Sequence, residues 1–313
     1  MLNGILYVAG GSLKQGIPTN TMDAYDVFHD ETGSSPLEDD SDKSKSFGQW
    51  IPDELKRILD SPPRKLTNDF ALIIGIEKYR DLPTARFAEH DAEAVRQAME
   101  GILGVPSQNI VYLTGERAGK TEIEKYVAEW LPRNVPEGSR LYVYFSGLGM
   151  SDPLTGEPRL LPWDADTRFL KTSSYSLPAL YDDLKTTKAA DIVVVMDTCF
   201  ASTGERCVSS RGIRYLVTHG YPEVSDPRMT AWYGAGPQEA AGSLPEQHHG
   251  LFSYYFLKGL TGAAGASVEK GLSFAQMEDY VEKWVPPIAA LQSREQHPSL
   301  NSMDKSKRLE RTP

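Results

Sequence analysis

From Asp69 onward the chain alternates short apolar runs with segments whose apolar residues recur at helical spacing. That rhythm restricts the fold more than any other feature. The runs are ALIIGI (71–76), IVYL (110–113), LYVYFSG (141–147), IVVVMD (192–197) and MTAWYGA (229–235). Nearly unbroken apolar runs of this length are what strands covered on both faces require. Between them, Ala88, Ala92, Val95 and Met99 share one helical face, as do Ile123, Val127 and Trp130, and again Leu177, Leu180 and Leu184. GLFSYYFLKGL (250–260) and FAQMEDYVEKW (274–284) also read as helices. Thr121 with Glu124, and Ser273 with Gln276, have the spacing of capping boxes. The order predicts an α/β three-layer sandwich, a mostly parallel sheet of six or so strands with helices on both faces. In such sheets chemistry collects in the loops at the carboxyl ends of strands.

The region before this pattern has a different texture. Residues 1–28 hold two β-rich segments, GILYVAGG and MDAYDVF, that could pair as a hairpin extension. The pair resembles one strand pair of a kelch repeat, and a single unit cannot close a propeller of typically 4–8 blades. Residues 29–68 read as an acidic linker followed by a short helix, PDELKRILD. Residues 69–300 form the main domain, and 301–313 read as a polar C-terminal tail.

Charge and cysteine content narrow the function. Lys and Arg number 33 against 43 Asp and Glu, a net charge of −10. Such a chain is a poor binder of nucleic acid or anionic lipid. No stretch reaches the ~20 apolar residues of a membrane helix. The N-terminal run ILYVA is too short for a signal-peptide core, so the expected location is cytoplasmic. The two cysteines, Cys199 and Cys207, exclude a disulfide scaffold and fit a reducing compartment. Cys207 reads as a passive thiol.

Two strand ends carry the candidate chemistry. The third run leads into Ser146-Gly147-Leu148-Gly149, and the fourth into Asp197-Thr198-Cys199-Phe200. Together with DFALIIGIEKYRDLP, AEHDAEAV, YFSGLG, LLPWDAD, VVVMDTCFAS and HGLFSYYFLKGL, in that order, they make the chain resemble the caspase-like cysteine peptidases. The likeness is to the bacterial metacaspase-like branch and spans roughly 230 residues, from Asp69 to about Pro298. The resemblance implies a cysteine endopeptidase scaffold with Cys199 as nucleophile. Backbone N–H groups of Gly147 or its neighbour and of Cys199 would hold the oxyanion. It also implies an acidic substrate pocket at Asp91, Ser146 and Asp197, selecting Arg or Lys before the scissile bond.

One departure dominates. The family's strand-end motif is Tyr-Phe-Ser-Gly-His-Gly, and its catalytic His lies about 50 residues before the Cys. Leu148 stands in that position. Leucine moves no proton, so the chain is expected to be inactive or severely impaired, by natural loss or by an introduced substitution. The alternative is a naturally dead pseudopeptidase that binds peptide or protein as a scaffold, and a third reading makes the N-terminal region the assembly element. Among the histidines, His90 beside Asp91 is the next candidate base, and His249-Gly250 reads as structural.

No metal or other cofactor is expected: the calcium pair of related enzymes falls on Leu177-Pro178, and no ligand cluster has zinc spacing. Arg206, Arg211 and Arg214 mark possible processing sites in the loop after Cys199. The expected partner is a peptide or protein bearing Arg or Lys, met by a monomer.

Overall fold

Successive side chains of a strand point to opposite faces, so a strand buried on both sides feeds two cores at once. The computed structural model shows this division. It describes residues 66–201, 206–208 and 220–309. The expected hairpin, the linker and the helix at 52–60 lie outside the described residues.

The main sheet contains β1 (Phe70–Gly75), β2 (Ile110–Thr114), β3 (Arg140–Ser146), β4 (Asp191–Asp197), β5 (Met229–Tyr233) and β6 (Ser299–Ser302). Their spatial order is β6-β5-β4-β3-β1-β2. All pairs are parallel except β5 with β6. One face carries Leu72, Ile74, Val143, Phe145, Val194 and Met196, packed with Ile123, Val127, Leu177, Leu180 and Leu184. Those partners come from α2 (Lys120–Glu124), the helical turns that continue it, and α3 (Leu177–Lys185). The other face carries Ala71, Ile73, Tyr142, Tyr144, Val193, Val195 and Trp232. It is covered by α1 (Ala88–Ala98), α4 (Leu251–Lys258) and α5 (Phe274–Leu291). The result is the expected α/β three-layer sandwich.

Local signals differ in how they are met. Ser273 and Gln276 form the capping box of α5. Thr121 does not cap α2. Its N-cap is Gly119, two residues earlier, and its first N–H, on Lys120, donates to Asp164 Oδ1 at 2.8 Å. The cap therefore comes from a neighbouring turn. Residues 301–309 of the segment expected as a polar tail carry two further pairings. β6 ends at Ser302, and Arg308–Leu309 pairs antiparallel with Leu272–Ser273. Leu300 and Leu309 anchor these two pieces in the core.

Candidate active site

Parallel pairing in register brings Ser146, the last residue of β3, beside Asp197, the last residue of β4. Asp91 reaches the same point from the first turn of α1. Ser146 Oγ donates to Asp91 Oδ2 at 3.1 Å. The Gly250 N–H donates to Asp91 Oδ1 at 2.9 Å, and His249 Nδ1 lies 2.8 Å from the same oxygen. Asp197 Oδ2 accepts from the Ser253 N–H at 3.1 Å and from the Ser253 hydroxyl. The start of α4 thus donates to both carboxylates, as a helix N-terminus favours. All three side chains read as pocket residues are wholly buried together.

The space between them is filled by Arg206 at zero exposure. Its Nη2 donates to Asp91 Oδ2 at 2.7 Å and to the Arg86 carbonyl at 3.0 Å. Its Nη1 donates to Ser146 Oγ at 2.7 Å and to the Asp197 carbonyl at 3.2 Å, and lies 3.1 Å from Asp197 Oδ2. The planar guanidinium spans two carboxylates at once, which a lysine ammonium cannot do with the same geometry. Arg206, read from the sequence as a cleavable loop residue, is therefore an interior ion-pair partner. Arg211 and Arg214 lie outside the described residues.

The two acids respond differently to this cation. Burial opposes ionisation of Asp91, but Arg206 and the His249 hydrogen bond outweigh it and hold its pKa below the ordinary carboxylate value. Burial dominates at Asp197 and raises its pKa, with Arg206 opposing and the Asp91 charge adding to the rise. Asp197 Oδ1 has no hydrogen-bond partner among the described residues. Arg206 is held protonated against its own burial by the two carboxylates. Both acids therefore pair with the one cation, and Asp197 keeps one carboxylate oxygen without a donor among the described residues.

Cys199 is joined to Cys207 in a disulfide, with Cα atoms 5.2 Å apart. This corrects the expectation of a passive Cys207 thiol. The two cysteines are eight positions apart, and Arg206, buried between the two acids, adjoins the second. The sequence signal was a short Cys-to-Cys separation ending in Glu-Arg-Cys, which reads as solvated loop. Around the link, Gly149 N–H donates to the Arg206 carbonyl at 3.2 Å and Val208 N–H donates to the Gly149 carbonyl at 3.1 Å. Cys207 thus forms an isolated parallel bridge with Gly149. A Cβ on Gly149 would meet the Cys199 carbonyl and, at 2.8 Å, Thr198 Oγ1, so this close approach needs glycine.

Leu148 and Cys199 belong to different packing groups. Leu148 is wholly buried in the core on the α2 and α3 face. Cys199 sits with Ala201, Cys207, Ala235 and Ala241. The Leu148 N–H donates to Tyr79 Oη at 2.6 Å, and its carbonyl accepts from the Leu161 N–H at 3.1 Å. Gly147 abuts the Tyr79 hydroxyl, which leaves no room there for a Cβ.

Two turns adjoining the acids place aromatic rings together at positive φ. Phe87 and His248, two of the three non-glycine residues at positive φ among the described residues, face each other with rings 5.2 Å apart. Bulky residues rarely adopt this conformation. Phe87 precedes α1, which carries Asp91, and His248 precedes His249, so each strained turn adjoins an acid or its partner. The His90 ring stacks over His248 at 6.1 Å. Among the described residues no group of three or more His, Cys, Asp or Glu is placed to hold a metal ion. None of their helices is long and apolar enough to cross a membrane.

The caspase-domain family model matches residues 68–309, and the chain belongs to that family. Two solved structures share the fold. Protein GSU0716 from Geobacter sulfurreducens is 14% identical with a TM-score of 0.56, over 78% of this chain and 99% of that one. Caspase-1 from Spodoptera frugiperda is 12% identical with a TM-score of 0.50, over 80% of this chain and 93% of that one. A sequence comparison with curated proteins finds no match.

Proposed function

We propose that this chain is a caspase-fold cysteine endopeptidase scaffold, of the metacaspase-like branch, whose acidic pocket receives an Arg or Lys side chain. As written it has little or no peptidase activity. The observation that carries the reading is the seat of Arg206 between Asp91, Ser146 and Asp197. A guanidinium in this place satisfies both carboxylates, so a guanidinium from a partner would be recognised by the same contacts, and an ammonium by the same two charges in a simpler geometry.

Peptide hydrolysis at Cys199 needs a thiolate to attack the carbonyl and a proton for the leaving amine. Leu148 supplies neither function. Missing acid–base help costs roughly 10²–10⁴-fold, and up to about 10⁶-fold where base and nucleophile act as a unit. An arginine-selective site without turnover is a peptide- or protein-binding scaffold, which is the second reading. We place the protein in the cytoplasm as a monomer whose partners carry exposed Arg or Lys, with no metal and no nucleic acid.

The test compares the unaltered chain, Leu148→His and Cys199→Ala in dithiothreitol, on fluorogenic peptides ending in Arg, Lys or Asp. The expected result is cleavage after Arg or Lys by Leu148→His alone. Cleavage after Asp would overturn the pocket assignment. Cleavage by the unaltered chain that Cys199→Ala abolishes would overturn the claim of impairment.

A further inference from the structure

We infer that Arg206-Cys207 is docked in the chain's own site as a substrate would be, and that the Cys199–Cys207 disulfide makes this occupancy redox-controlled. The inference rests on the pocket reading given above and adds its regulation.

Three independent contacts define the docking. The Arg206 side chain fills the acidic pocket with zero exposure. The Arg206 carbonyl accepts the Gly149 N–H, a backbone donor immediately beyond position 148. The residue on the far side of that carbonyl, Cys207, is bonded to Cys199 itself. Side chain in the pocket, carbonyl on a strand-end backbone N–H and next residue at Cys199 is the seating expected of a substrate's basic residue. Here the nucleophile's electrons are committed to a sulfur–sulfur bond, and the pocket is closed to any arginine in trans.

Reduction removes the covalent block and weakens the second. A dithiol reductant supplies two electrons and two protons. Cys207 is 7% exposed and Cys199 is not exposed at all, so the incoming thiolate meets Cys207 Sγ first. Its attack breaks the disulfide and releases Cys199 as thiolate. The second thiol of the reductant then displaces Cys207 from the mixed disulfide. The products are two protein thiols and the oxidised, cyclic disulfide of the reductant. Arg206 is then held only by noncovalent contacts. It remains a tethered competitor, whose effective concentration is of millimolar order for a short linker. A peptide in trans binds with an affinity lowered by the fraction of time Arg206 stays seated.

The test is fluorescence anisotropy with a labelled hexapeptide amide containing one arginine, and a control peptide with norleucine in its place. Four proteins are compared: oxidised and dithiothreitol-reduced unaltered chain, Cys207→Ser without reductant, and Arg206→Ala with reductant. Non-reducing peptide mapping confirms the Cys199–Cys207 link in the first. The oxidised chain should show no arginine-dependent binding. Reduction or Cys207→Ser should restore it, at least tenfold above the oxidised chain, and Arg206→Ala should bind tightest. Cys207→Ser retains the buried ion pair, so it keeps the test valid if Arg206→Ala does not fold.

Two failures are distinguishable. Equal arginine-dependent binding by the oxidised and reduced chains sinks the redox latch and leaves the pocket standing. If neither the reduced chain nor Cys207→Ser, both shown folded by circular dichroism, binds the arginine peptide in preference to the norleucine control, the pocket reading falls and the latch with it.

Discussion

Arg206 and Asp91 form an ion pair at 2.7 Å in which both side chains have zero exposure, although 115 residues separate them in sequence. Burial of either charge alone is costly, so the pair exists only because the end of β3, the end of β4, the first turn of α1 and the start of α4 converge with the residues after Cys199. The convergence joins the fold to its candidate chemistry, since the two carboxylates and the serine around Arg206 sit at or near the ends of regular elements.

The first consequence concerns Arg206→Ala. Removing one partner of a buried pair typically costs 3–5 kcal/mol, because the other charge is left uncompensated. The cost should depend on pH. In the unaltered chain Asp91 has a lowered pKa, so its contribution is present above the unfolded carboxylate value and fades as pH falls through the folded one. In Arg206→Ala both acids are buried without a cation, and their pKa values should lie above the unfolded value. A group raised in this way loses stability as pH rises through its folded pKa. The gap in melting temperature between the two proteins should therefore be larger at pH 8 than at pH 5. A gap independent of pH would contradict the ion-pair account.

Gly250 tests the same region by volume. A Cβ there would meet Asp197 Oδ2 and come within 2.7 Å of Arg206 Nη2. Neither group can retreat, because each is held by further hydrogen bonds. Overpacking of this kind costs about 1–3 kcal/mol. Gly250→Ala should lower the melting temperature and, in the reduced protein, weaken arginine-peptide binding. Ala substituted at Gly220, where nothing lies within 4 Å, should do neither.

The sheet was legible because buried parallel strands are continuous apolar runs, and all five runs became strands within two residues of their expected limits. β6 was not, since SLNS offers a single apolar residue, Leu300, and edge strands carry little hydrophobic signal. The convergence of Asp91, Ser146 and Asp197 was reachable through motif order along the chain. The occupant was not. Arginine is almost never fully buried unless paired, and nothing local to Glu205-Arg206-Cys207 reveals partners on α1 and β4. The Cys207 link was hidden for the same reason, as it depends on where Arg206 is anchored.

Capping gives a prediction confined to one helix. Ser273 accepts from the Gln276 N–H at 3.2 Å, and the Gln276 side chain accepts from the Ser273 N–H at 3.0 Å. α5 supplies Phe274, Met277, Val281, Val285 and Ala289 to the core. Ser273→Ala should cost about 1 kcal/mol in chemical denaturation. Thr121→Ala should cost clearly less, because Asp164 rather than Thr121 caps α2.

Leu148→His sets activity against stability. The side chain at 148 is wholly buried among apolar neighbours, so an imidazole there is desolvated, and an unpaired buried polar group costs about 1–3 kcal/mol. A productive base must also turn toward Cys199, which lies in a separate packing group. The reduced Leu148→His protein should melt below the unaltered chain while gaining arginine-directed cleavage of roughly 10²–10⁴-fold over it. Its rate should rise with pH as the imidazole loses its proton, whereas an amide at the same position, Leu148→Asn, should melt similarly low and gain nothing. A gain in activity shared by Leu148→Asn would show that loosening the core, and not proton transfer, limits the reaction.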